Sequence, residues 1–75
     1  MIFVTVNEPA GRALFVDGNY ANDEGLIPVT VMLQAGPHLF ETVETASGKP
    51  DYQARTDNAV GDGTGVTLVL VKIPG

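Results

Sequence analysis

The spacing of proline and glycine, set against apolar side chains two positions apart, most constrains what this chain can become. A helix needs apolar residues at three and four and tolerates neither breaker in its interior. Here Pro or Gly recurs every few residues, so no window predicts a helix. Period two over short runs predicts strands instead, with successive side chains on opposite faces. Six runs fit: residues 2–6, 13–17, 29–34, 38–44, 52–56 and 66–73. Between them lie Asn7-Glu8-Pro9-Ala10-Gly11, Asp17-Gly18-Asn19, a loop through Asn22-Asp23-Glu24-Gly25, Ala35-Gly36-Pro37, Ser47-Gly48-Lys49-Pro50 and Gly61-Asp62-Gly63-Thr64-Gly65.

The short connection at Ala35-Gly36-Pro37 predicts an antiparallel hairpin between the third and fourth runs. Six short strands at this spacing imply one all-β domain over residues 1–75, an antiparallel β-sandwich or open barrel of six to seven strands. Alternation assigns the inner face to Ile2, Val4, Val6, Leu14, Val16, Val29, Val31, Leu33, His38, Phe40, Thr42, Leu68 and Leu70.

Seventy-five residues bury only about 60% of the surface the unfolded chain exposes. With no cysteine, neither a disulfide nor a thiolate metal site reinforces such a core. The net charge of −5 and the scattering of Arg12, Lys49, Arg55 and Lys72 oppose binding to nucleic acid or to an anionic membrane. The apolar start 1–6 lacks a basic flank and breaks at Asn7-Glu8-Pro9, too early for a signal peptide or an inserted span. Cytoplasmic and periplasmic or extracellular locations are equally compatible with this composition.

Four motifs in order carry a resemblance: Glu8-Pro9-Ala10-Gly11, Leu14-x-Val16-Asp17-Gly18, Pro28-Val29-x-Val31-x-Leu33 and Gly36-Pro37-His38-x-Phe40. Together they resemble the PEGA domain family, with 66–72 in the place of its closing strand. The family's Pro-Glu-Gly-Ala string is absent, residues 19–27 form a longer loop, and Ser47-Gly48-Lys49-Pro50-Asp51-Tyr52 stands for the family's Gly-Tyr. The resemblance implies a non-catalytic β-sandwich accessory module, commonly fused to bacterial surface proteins, kinases or other enzymes.

Chemistry-bearing residues are few. His38 is the one imidazole, and the nearest acids along the chain serve it badly: Glu41 points to the opposite face and Glu44 lies about 20 Å along the strand. A structural role is expected. The stretch 17–24 begins like a calcium loop with acceptors at Asp17 and Asn19, but Ala21 and Pro28 fall where further ligands belong, so a solvated turn and no metal is expected. The glycines at 61–65 precede a strand, not the helix a phosphate loop needs. Ser47 and His38 lack a third, orienting group. No catalytic residue and no cofactor is expected.

The outward positions hold more information. Phe3, Phe15, Met32, Leu39, Val43, Val69, Val71 and Ile73 alternate away from the inner set, where a two-sheet sandwich should show polar residues. The last run is nearly continuous in Val and Leu, a pattern typical of strands covered on both sides. Either these side chains meet a partner, or a bulge and the long loops shelter them. The expected function is therefore protein binding or assembly, through an outer face or a strand edge, with a protein partner or a second copy. The alternative is a carbohydrate- or small-ligand-binding sandwich using Tyr20 and Tyr52.

Overall fold

The computed structural model describes residues 1–21, 25–56 and 63–74. Eight short strands form: β1 (Ile2–Val6), β2 (Phe15–Val16), β3 (Asn19–Tyr20), β4 (Val29–Leu33), β5 (Leu39–Val43), β6 (Pro50–Arg55), β7 (Gly65–Leu68) and β8 (Val71–Lys72). They assemble into a three-stranded sheet, β4-β1-β7, and a five-stranded sheet, β3-β2-β5-β6-β8. The all-β sandwich follows from the period-two pattern, because two sheets each offering one apolar face bury them against one another.

Ile2, Val4, Val6, Val29 and Val31 of the smaller sheet pack with Leu14, Val16, Phe40 and Leu70, and every one of them is buried. Leu33 and Leu68 are partly buried against that core. Thr42 joins the interior as alternation requires. Ile27, placed by the sequence in a loop, is buried as well. Its neighbours explain this: Ile27 N donates to Arg12 O, Ile27 O accepts from Gly11 N, and Leu26 bridges Ala13, so the approach to β4 is already paired backbone.

The expected hairpin between the third and fourth runs does not form. β4 pairs with β1, whereas β5 pairs with β2 and β6, so residues 34–38 carry the chain from one sheet across to the other. Both runs turn their apolar face to the same core, which an arch between layers satisfies as well as a hairpin would. Side chains then replace the missing hairpin bonds. Thr56, buried, donates through Oγ1 to Gly36 O at 2.9 Å and accepts His38 N at 2.9 Å, while Thr56 N donates to His38 O.

Two further details differ from the sequence reading. The last run bends at Val69–Leu70 and belongs to both sheets, with β7 beside β1 and β8 beside β6. The β1–β7 pair is parallel, so the sandwich is not wholly antiparallel. The Asp17-Gly18 turn behaves as its residues demand. Both φ angles are positive, 52° and 83°, which a two-residue hairpin of the primed type requires, and it adds β3 where a loop is expected.

Candidate functional site

Cross-strand register places the outward side chains in rows. On the three-stranded sheet Phe3 pairs with Met32 on one flank and with Gly65 on the other, and Thr5 lies between Thr30 and Thr67. Thr5 and Thr30 share an Oγ1–Oγ1 hydrogen bond of 2.9 Å. Gly65 has no side chain to cover the free flank of Phe3. Phe3 is 43% exposed, and Met32 on its other flank is 56% exposed. At the bend between sheets Val69 is 73% exposed, and Val71, beside Gln53 on β6, is 66% exposed. A cavity of about 260 Å³ opens next to Val69, lined by Asn7, Glu8, Thr67, Leu68 and Val69.

The five-stranded sheet dresses its outer face differently. Phe15, Leu39 and Val43 lie there as expected but are only half exposed. Phe15 sits between Tyr20 and Glu41 in register and stacks on Tyr20 at 5.4 Å between centroids, with the rings tilted by 30°. Leu39 stands beside Arg55, Glu41 beside Gln53, and Val43 beside Pro50 past a bulge at Thr42/Val43. This is ordinary polar alternation, with Glu41, Gln53 and Arg55 interleaved among the apolar side chains. The structure thus divides the eight residues expected to point outward: Phe3, Met32, Val69 and Val71 are bare, and Phe15, Leu39, Val43 and Ile73 are partly sheltered.

Tyr20 and Tyr52 do not come together. Tyr20 shares the face of Phe15 and Glu41, whereas Tyr52 pairs with Thr42 on the opposite face and packs against the core. Side chains adjacent along β5 point to opposite faces, so the two rings form no common platform.

Polar clusters hold the ends of the sandwich. His38 Nδ1 lies 2.6 Å from Asp17 Oδ2 and its Nε2 lies 2.7 Å from Gln34 O, while Asp17 Oδ1 accepts Leu39 N at 2.8 Å. Both ring nitrogens face acceptors, an arrangement that favours the doubly protonated ring. The bond to Asp17, then that to Gln34 O, raises the His38 pKa above its ordinary 6.5 against the opposing effect of burial. The same bond, with the Leu39 amide, holds Asp17 below 3.8. His38 has both ring nitrogens engaged within the chain. Its partner is an acid 21 residues earlier, not Glu41 or Glu44. The sequence signal for this was Asp17 itself, whose place in an Asp-Gly turn accounts for only half of its role.

A second cluster joins Arg12, which donates to Val43 O and to Asp51 Oδ2, both at 2.8 Å, with Thr42 Oγ1 donating to Asp51 Oδ1 at 2.6 Å. Desolvation pushes the Asp51 pKa up, but the Thr42 hydroxyl and the Arg12 guanidinium outweigh it and leave the carboxyl below its ordinary value. Neither cluster gathers three metal-ligating side chains; among the described residues no such group exists. Asp17 commits both oxygens within the chain, and Asn22, Asp23 and Glu24 of the calcium-like stretch lie outside the described residues, as do Gly61 and Asp62 of the glycine-rich one.

No protein-family model, no curated protein and no solved structure matches this chain.

Proposed function

We propose that this domain is a non-catalytic protein-binding or assembly module that works through its three-stranded sheet, a reading compatible with the non-catalytic accessory module that the PEGA resemblance implies. One observation carries the reading. Phe3 and Met32 stand side by side and exposed on a sheet whose strands contain no charged side chain, although the chain has thirteen of them, nine acidic and four basic. Removing water from such a surface costs no ionic desolvation and returns the free energy of apolar burial. Exposed apolar side chains on adjoining strands are what an interface offers.

Dye binding and hydrodynamics test it. The folded protein is expected to enhance the fluorescence of a hydrophobic dye, and Phe3→Ser with Met32→Ser is expected to abolish the enhancement while the fold is kept. A folded wild type that binds no dye and sediments as a monomer at every concentration would sink the reading.

A further inference from the structure

The proposed function leaves open which partner the three-stranded sheet meets, and the answer below rests on that reading. The backbone amide of Phe3 donates toward β7, to Thr64 O at 3.0 Å. Alternate residues of a strand direct their N–H and C=O groups to opposite sides. Ile2, Val4 and Val6 therefore bond toward β4, and their register partners Leu33, Val31 and Val29 bond back. Thr30 and Met32 are left with their N–H and C=O groups on the outer edge of β4. Among the described residues no backbone group bonds them there.

That edge lacks the usual devices against pairing, which are a lysine, an internal proline, a bulge or extreme shortness. β4 runs five residues in unbroken register, Val-Thr-Val-Met-Leu. The other edge strands are less inviting. β3 has two residues, β8 has two and carries Lys72, and β7 begins with the side-chain-free Gly65. Charge leaves this edge open to a second copy, and a self-matching register favours one. Two copies with net charge −5 repel wherever their acids approach, and residues 25–37, with β4 at their centre, hold no charged side chain.

We infer that β4 pairs antiparallel with β4 of a second copy about a two-fold axis at Val31, joining two three-stranded sheets into one. In that register Thr30 faces Met32 of the other copy and exchanges both backbone bonds with it, twice by symmetry. Pro28 faces Gln34, so Pro28, which has no N–H, needs only its C=O, and it accepts the Gln34 N–H. Each outward donor between Thr30 and Gln34 gains an acceptor. Met32 moves beside Thr30 of the other copy on the outer face, and the two Phe3–Met32 pairs flank the axis. Isologous pairing of this kind closes at two copies.

Sedimentation across a concentration series, with and without salt, tests this together with two substitutions and amide exchange. The wild type is expected to dimerise, more tightly as salt screens the like charges. Thr30→Pro removes an outward N–H from an edge strand, a site that tolerates proline, and is expected to be monomeric. Phe3→Ser, on the central strand, is expected to remain dimeric. In the wild type the Thr30 and Met32 amides are expected to exchange about tenfold or more slower in concentrated than in dilute solution. The exchange result stands even if Thr30→Pro fails to fold: fast exchange of both amides in a concentrated sample overturns edge pairing. So does a dimer that survives Thr30→Pro and is lost in Phe3→Ser, or one that salt weakens, although either leaves the binding-module reading intact. A monomer that still binds dye overturns only the pairing, and a monomer that binds none overturns both.

Discussion

The two sheets share one core but differ in what they turn to solvent. The five-stranded sheet carries Glu41, Asp51, Arg55 and Lys72 on its strands, and Phe15 and Leu39 stand in register with Glu41 and Arg55. It is also tied to its surroundings by side-chain bonds, through Arg12–Asp51–Thr42 at one site and Asp17–His38 at another. The three-stranded sheet has no charged side chain on any strand, and its one internal side-chain bond joins two threonines. The inner faces answer to the fold, and they are alike. The outer faces answer to whatever each sheet meets, and they are not.

The sharpest break of that contrast compares inner with outer phenylalanines. Phe40 is fully buried, and Phe40→Ala is expected to cost about 3–5 kcal/mol in urea unfolding. For a 75-residue domain that is a large part of the whole stability. Phe3→Ala should cost much less; equal losses would show that Phe3 is sheltered after all.

Next in size is the polar tie of the larger sheet. Arg12→Met leaves Asp51 with Thr42 alone and the Val43 carbonyl without this donor, and is expected to cost roughly 1–2 kcal/mol by the same method. Combining it with Asp51→Asn should recover part of the loss, because the unpaired charge goes too.

The His38 clip gives a smaller, pH-dependent effect. The His38 pKa is raised on folding, so its contribution is whole below 6.5 and fades as pH rises through the higher folded value. The Asp17 pKa is lowered on folding, so its contribution is whole above 3.8 and fades as pH falls through the folded value. Thermal midpoints should therefore be highest between these limits and decline as pH rises above 6.5. His38→Gln should remove most of the alkaline decline; if the slope persists unchanged, the clip contributes nothing. Partial exposure of both groups keeps the effect to about 1 kcal/mol. Smallest of all, Val69→Thr and Val71→Thr should change monomer stability by no more than about 0.5 kcal/mol, since both side chains already stand in water.

Alternation read the buried strand residues from Ile2 through Leu70, because strand side chains have only two directions to choose from. It left the buried Ile27 in a loop and counted the half-buried His38 among the inner residues. It could not tell a hairpin from an arch at residues 34–38, since β4 and β5 present the same inward set either way. It reads Val and Leu continuity at 66–73 as cover on both sides, whereas a strand that changes sheets shows the same string with Val69 and Val71 bare. The outer positions were legible as residues. Their shelter was not, because the register neighbours of Phe15 and Leu39, namely Tyr20, Glu41 and Arg55, stand on other strands. Asp17 with His38, and Arg12 with Asp51, are pairings across 21 and 39 residues, and local spacing carries no sign of either.

The parallel alignment of β1 with β7 also decides how the domain answers to force. Tension applied at Ile2 and at Lys72 draws two strands that run the same way past one another, so their bonds resist together instead of opening one by one. The short β8 would release from β6 first and leave β1 and β7 to bear the load. Single-molecule pulling along that axis should meet a higher barrier than pulling across β5 and β6.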